Sequence, residues 1–485
     1  MIERTTLADG LEVSRILTGL WQIADLERSG DLVDRDATAA AMHAYVEAGF
    51  TTFDMADHYG SAEDIAGAYR ERVGDAAECL TKWVPRPGPY TRDEVRAAVQ
   101  VSLDRLNTDS IDLLQFHAWR YSDPVWLDCL FWLDELREEG LIRHLGLTNF
   151  DASHLAMVLE TGVRVVSNQV SYSLLDRRAG EAMAQVCEKY GVGLLAFGTV
   201  AGGFLTERWL GRPDPAAKGI DRLETWSLMK YRRFIEVAGG WDRFQSLLDV
   251  VSKVSRKHGV SMANVACRYV LDQPAVAGVI VGARLGRSEH IEDNARVFAL
   301  SLDREDRAAL DEGAAALDPI PGDTGDEYRR PPYLTAAGDL SDHVEGFSSP
   351  YETVDGPPGR RHALSGTVWE DLAGFSRAVR TGDRILVSGT TATHRDRLIG
   401  GGDPGAQMNF VIDKVEGAIE SLGGRLEDVV RTRVFIHREE DWEAVSRAHG
   451  RRFDGVRPAN TLVRAGLIGE GYLVEMEAEA LVGGG

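Results

Sequence analysis

At 485 residues the chain is too long for one ordinary hydrophobic core, so two or more domains are expected. Its 44% apolar and 27% charged residues are those of a globular protein, and disorder is excluded on composition. A formal net charge of −22 argues against a nucleic-acid partner, which needs a basic surface to meet phosphate.

The opening stretch MIERTTLADG lacks the basic flank and apolar core of a secretory signal, and no apolar run reaches bilayer length. Neither a membrane nor export is expected. Cys79, Cys129, Cys187 and Cys267 are widely spaced with no C-x-x-C pair, which suits buried thiols in a reducing cytoplasm. No cluster of His, Cys and carboxylates has chelating spacing, so no metal is expected.

In chain order, short apolar strands alternate with amphipathic helices. Candidate strands end near Gly19, Asp54, Lys82, His117, Thr148, Gln169, Phe197 and Val281. The helix DATAAAMHAYVEAG closes on Gly49. The helix TRDEVRAAVQVSLDRL opens with a capping box, Thr91 with Glu94, and Val95, Val99, Leu103 and Leu106 form its apolar face. Eight such units predict a parallel sheet with right-handed crossovers, closed as a (β/α)8 TIM barrel over residues 1–318. An open doubly wound sheet would want a G-x-G-x-x-G loop after an early strand, and none follows one. The segment from Phe197 to about Trp241 is long for a connection and reads as a loop over the site.

Residues 319–357 are dense in Pro, Gly, Asp and Ser without a period, and read as a linker or a tail packed on the barrel. The short basic runs YRRPP and GRRHAL in and beside it read as solvated loops. From 358 to 485 a smaller α+β domain is expected. Two strands flank a Thr-Gly-Asp turn in GFSRAVRTGDRILVSGT, and a helix carries Met408, Val411, Ile412, Val415 and Ile419 on one face. The strand DVVRTRVFIH, the helix DWEAVSRAHGRRF and the strands NTLVRAG and YLVEMEAEALV follow.

The stretch FDMADHYGSAE sets Asp54 and Tyr59 where a strand gives way to a loop. Lys82 in ECLTKW and His117 in IDLLQFH stand at the ends of the next two strands. Strand ends of a barrel converge on one mouth, so the four side chains would meet there. Singly, each has an ordinary reading as a cap, a surface charge or a packed ring. Together they make coherent chemistry. A phenol with a pKa of about 10 becomes a better acid beside an ammonium, and Asp54 would hold Lys82 in place. Tyr59 could then protonate a carbonyl oxygen as hydride reaches the carbon, with His117 hydrogen-bonding the same oxygen. The hydride requires an external donor, a nicotinamide cofactor.

With IRHLGLTNF, VSNQVSYSLLD and VIVGARLGRSEHIEDN following in order, residues 1–318 resemble the aldo-keto reductase superfamily. The resemblance implies NAD(P)H-dependent reduction of a small-molecule aldehyde or ketone, NADP(H) being favoured over NAD(H). By it, Thr148, Asn149 and Gln169 would bind the nicotinamide carboxamide, and Phe197 would stack on the ring. Gly19, Leu20 and Trp21 would border the pyrophosphate and substrate side, and Trp83 and Trp119 would wall the substrate pocket. Arg284 and Arg287 could pair with a 2′-phosphate, and Asp293 and Asn294 would contact adenine.

Residues 358–485 resemble the RidA (YjgF) family, of chorismate-mutase-like fold, through GFSRAVRTGDRILVSGT, LEDVVRTRVFIH, RPANT and YLVEMEAEAL. That resemblance implies a homotrimer with clefts between subunits. Where family deaminases use an Arg to pair with a substrate carboxylate, this chain has Asn460, and Phe375 replaces a common Tyr. Glu475 matches the water-handling Glu. A trimerising or ligand-binding module without deaminase activity is the expected reading. The alternative is a bifunctional enzyme whose barrel forms or reduces an imine-linked intermediate that the second domain binds or hydrolyses.

Overall fold

The computed structural model describes residues 2–287, 289–335, 344 and 346–483, so part of the expected linker lies outside the described residues. An N-terminal hairpin, β1 (Arg4–Ala8) and β2 (Leu11–Ser14), precedes eight parallel strands. These are β3 (Ile16–Gly19), β4 (Thr52–Asp54), β5 (Glu78–Trp83), β6 (Ile111–His117), β7 (Ile142–Thr148), β8 (Ser167–Ser171), β9 (Gly193–Phe197) and β10 (Val276–Gly282). They form a closed barrel, β10 pairing with both β9 and β3. The expected capping box is present: Thr91 Oγ1 accepts from the Glu94 N–H, and the Glu94 carboxylate accepts from the Thr91 N–H.

The hairpin was not anticipated. Leu7, Leu11 and Val13 pack with Leu17, Leu80, Leu113 and Leu195 of the barrel strands in a cluster of their own. Each fully buried leucine contributes about 1.5–3 kcal/mol. At the other end of the strands the registry aligns Gly19 with Asp54, Lys82 with Gln115, and His117 with Thr148. Polar residues of neighbouring strands therefore share one level at the C-terminal mouth.

The second domain is a seven-stranded sheet in the order β11-β12-β13-β14-β19-β17-β18. Its strands are β11 (Glu352–Asp355), β12 (Arg360–Leu364), β13 (Ala378–Thr381), β14 (Arg384–Thr391), β17 (Val429–Ile436), β18 (Ala459–Arg464) and β19 (Val474–Leu481), with a small hairpin of β15 (Thr393–His394) and β16 (Arg397–Leu398) beside it. Edge strand β11 comes from the stretch read as linker. The helices Pro404–Ser421 and Trp442–Arg452 pack together, and the first of them lies against β14 and β19.

Met408, Val411, Ile412, Val415 and Ile419 are fully buried, as their spacing predicts. The helix that carries them is buried on its other side as well, because it lies on the barrel helix Ala152–Glu160. Gly417 permits the approach: a Cβ there would meet Ser122 O at 2.2 Å. A glycine inside a helix costs about 1 kcal/mol relative to alanine, and close contact is its reason here. Polar groups lock the seam. His154 Nδ1 and Nε2 lie 2.6 and 3.0 Å from carboxylate oxygens of Asp151 and Asp413, and its ring stacks on Tyr121 at 3.5 Å. His394 and Arg395 meet Asp128 at 2.8 and 2.9 Å. Among the described residues, no helix is long and apolar enough to cross a membrane.

Candidate active site

Strand β4 delivers Asp54 at its last residue, β5 delivers Lys82, and β6 delivers His117. The loop after β4 carries Tyr59. All four line one cavity of about 670 Å³. Lys82 Nζ donates to both Asp54 carboxylate oxygens at 2.8 Å and to Met55 O at 2.7 Å. Its ammonium lies 4.9 Å from the centre of the Tyr59 ring. Asp54 also accepts from Gln169 Nε2 at 2.6 Å. Burial drives the Lys82 ammonium pKa below its ordinary value, and Asp54 opposes the fall. A buried ion pair survives only when its remaining hydrogen-bonding capacity is met, as Met55 O and Gln169 do here.

Tyr59 is wedged between Trp21 and His58, ring centres 5.0 and 4.9 Å away in edge-on contacts. His117 Nδ1 lies 3.3 Å from Thr148 O, and Trp119 packs edge-on at 4.5 Å. Trp119 is itself fixed by donating its indole N–H to Pro85 O at 2.9 Å.

The residues expected at the cofactor divide in two. Gly19, Thr148, Asn149, Gln169 and Phe197 line the cavity, as do Arg284, Asp293 and Asn294 further along it. Asn149 has a left-handed backbone, and its Oδ1 is buried without a hydrogen-bond partner among the described residues. Such an orphaned amide oxygen suits the NH2 of a carboxamide. The Gln169 amide nitrogen donates to Asp54 and to Gln115 Oε1 at 3.1 Å. Leu20 and Arg287 do not line the cavity. Leu20 is fully buried and donates its N–H to Asp54 O, while the exposed Arg287 pairs with Asp31 at 2.6 Å.

Of the tryptophans, Trp21 and Trp119 line the cavity, but Trp83 packs against Tyr90 and Phe116. The cause is strand alternation: Lys82 faces the barrel interior, so its neighbour faces the helical layer.

A family model described as Aldo/keto reductase family matches residues 15–315, more than half of the chain. The chain belongs to that family. It is therefore an oxidoreductase by descent, and its barrel resembles solved members. A glycerol dehydrogenase from Gluconobacter oxydans is 25% identical, with a TM-score of 0.52 over 66% of this chain and 97% of that one. The aldo-keto reductase YhdN of Bacillus subtilis is 26% identical over 344 residues, 68% of this chain and 98% of that protein. Residues 368–482 match the model described as Endoribonuclease L-PSP, the RidA-like group. A Streptomyces coelicolor protein of uncharacterized role is 45% identical over 124 residues there, 25% of this chain and 92% of its own.

Among the cavity-wall residues that the sequence did not mark are Lys230 and Tyr328. Lys230 is in the helix Trp226–Val237, within the long segment after β9 read as a loop over the site. Tyr328 is in the four-residue helix Asp326–Arg329, where EYRRPPY has no period to mark it.

In the second domain, Asn460 lines a separate cavity of about 330 Å³ with His449, Phe453 and Arg457. Asn460 Nδ2 donates to Thr432 Oγ1 at 2.9 Å, and His449 Nε2 lies 2.9 Å from the same oxygen. Phe375 and Glu475 do not line it. Glu475 faces the opposite side of the sheet, where burial raises its carboxyl pKa, and Phe375 lies beside the Arg377 guanidinium at 5.8 Å.

Proposed function

We propose that the barrel is an NADPH-dependent reductase of aldehydes or ketones. The observation that carries this reading is the convergence of Asp54, Tyr59, Lys82 and His117 on one cavity, with the Lys82 ammonium close to the phenol ring. A reduced nicotinamide held by Asn149, Thr148 and Phe197 would supply the hydride. Tyr59 gives its proton to the carbonyl oxygen as that oxygen becomes an alkoxide, and Lys82 stabilises the phenolate left behind. His117 hydrogen-bonds the same oxygen, its ring placed by the contact of Nδ1 with Thr148 O. Arg284 supports NADPH over NADH, because a guanidinium at the adenosine end suits a 2′-phosphate.

The second domain is proposed as a trimerising, ligand-binding module without standard deaminase activity. Asn460 cannot supply the paired donors and charge of an arginine. Asn460 and Glu475 lie on opposite faces of one chain's sheet, so a cleft containing both needs two chains. The open face of that sheet exposes Leu386 (42%) and Val463 (41%), which supports a partner surface. The four buried, unpaired cysteines support a cytoplasmic location.

Tyr59→Phe tests the mechanism. Reduction of a screened aldehyde should fall by at least about 100-fold, with NADPH affinity by fluorescence titration unchanged. Full activity in that variant would overturn the reading.

A further inference from the structure

The loop after β7 is gripped by residues that follow the barrel. Asn149 has a left-handed backbone, φ 61°, which residues other than glycine keep only where their surroundings hold it. Its N–H donates to Gln169 O at 2.8 Å, and its carbonyl accepts from Arg329 Nη1 at 2.6 Å. The same guanidinium donates through Nε and Nη2 to Ala118 O, the carbonyl directly after His117, at 2.9 and 2.6 Å. One planar cation thus ties together the ends of the paired strands β6 and β7.

Arg329 is itself fixed. Its guanidinium lies 4.3 Å from the Tyr121 ring centre, and His154 stacks on that ring at 3.5 Å. Gly325, φ 87°, lets the chain approach the same loop, since a Cβ there would meet Asn149 O at 2.0 Å. Thr324 Oγ1 donates to Phe150 O at 3.2 Å, and the buried Glu327 pairs with Arg178 at 2.9 Å. Thr324, Gly325 and Arg329 all lie beyond residue 315, where the match to the family model ends.

The consequence falls on the Asn149 side chain. Asn149 lines the cavity, and its Oδ1 is buried without a hydrogen-bond partner among the described residues. Such an acceptor recognises a ligand only while its backbone stays in place, because a shift of about 1 Å takes a hydrogen bond out of range. Bonds from a guanidinium are stronger than neutral ones, and its rigid fork fixes direction as well as distance. On the reductase reading given above, we infer that Arg329 is a positioning residue for the cofactor: by holding Asn149 O and Ala118 O it keeps Asn149 Oδ1 placed to accept from the amide NH2 of the nicotinamide.

Ligands that differ at the nicotinamide test this by calorimetric titration of the full-length protein, without turnover. NADP+ and NAD+ are compared with their acetylpyridine analogues, in which a methyl replaces the amide NH2, and with the corresponding ADP-riboses, which lack the pyridine ring. For the dinucleotide that binds, the wild type should take the analogue about tenfold more weakly, as expected for one buried acceptor left without its donor. Arg329→Met should bring that ratio close to one while leaving the ADP-ribose affinity unchanged, which also shows that the variant is folded. Arg329→Lys, which keeps a donor for one of the carbonyls, should give an intermediate ratio. A ratio that Arg329→Met leaves unchanged overturns the inference, and so does an equal loss of all three ligands, the mark of a general structural role. A wild type that binds a dinucleotide but does not discriminate against its analogue removes the Asn149 contact and the inference, while the reductase reading stands. A wild type that binds neither dinucleotide fails the reductase reading itself, and the inference with it.

Discussion

The barrel and the C-terminal sheet solve the problem of building a site in opposite ways. The barrel closes on itself, so strand ends far apart in sequence face one cavity within a single chain. The C-terminal sheet is open, with β18 at one edge and exposed leucine and valine on one face. Its candidate residues Asn460 and Glu475 point to different sides of the sheet. Closure gathers a site within one chain; on the trimer reading proposed above, the open sheet would leave completion of its site to a neighbour.

Four experiments strain that contrast, in descending order of expected effect. Lys82→Met should reduce carbonyl reduction by about 10²–10⁴-fold, whereas Glu475→Gln should leave the same assay unchanged. A loss of reduction in both variants would mean that the two domains share one reaction.

His154→Leu probes the seam. It leaves Asp151 and Asp413 buried without their shared partner, and breaking a buried ion pair in this way costs about 3–5 kcal/mol. Urea unfolding of the two proteins measures it, and a difference near zero would show that the domains do not depend on this contact.

The same comparison has a pH signature. Burial alone would lower the His154 pKa, but Asp151 and Asp413 outweigh it and hold the imidazole at about 9, above its ordinary 6.5. The other groups packed on it keep their states. Arg452 pairs with Asp413, Arg329 lies over Tyr121, and burial keeps the Tyr121 phenol neutral. A raised pKa means that the stabilisation is complete below about 6.5 and is lost as pH rises through about 9. The stability gap between wild type and His154→Leu should therefore narrow in alkaline buffer; a gap that is flat with pH would mean a neutral imidazole.

The mildest change is Leu386→Asp on the open face of the sheet. On the trimer reading, light scattering should give a trimer for the wild type and a species of lower mass for the variant, with NADPH oxidation per chain retained. A monomeric wild type would remove the contrast altogether.

Much of the barrel was legible because its signals are local. Apolar strands, capped helices and the positions of Asp54, Lys82 and His117 at strand ends follow from short-range pattern. Where the reading missed, the cause was spatial. Trp83 and Lys82 are neighbours in sequence, but the pleat sends them to opposite sides of the barrel wall. Arg287 was matched to a phosphate by its type, while the fold brings Asp31 within 2.6 Å of it. The helix Pro404–Ser421 has one apolar face in the sequence, but docking on Ala152–Glu160 buries the other too.

What the amino-acid order determined by itself is the alternation of strands and helices, the division into a barrel and a smaller α+β unit, and the four candidate side chains that line one cavity. These depend on periodicity and on residues at element ends, which act over a few positions. Only the tertiary structure decided that Lys230 and Tyr328 join His117, and that His154 ties the domains through Asp413. Those pairs are 98 and 259 residues apart, and their contact depends on how packed layers meet, which no local pattern encodes.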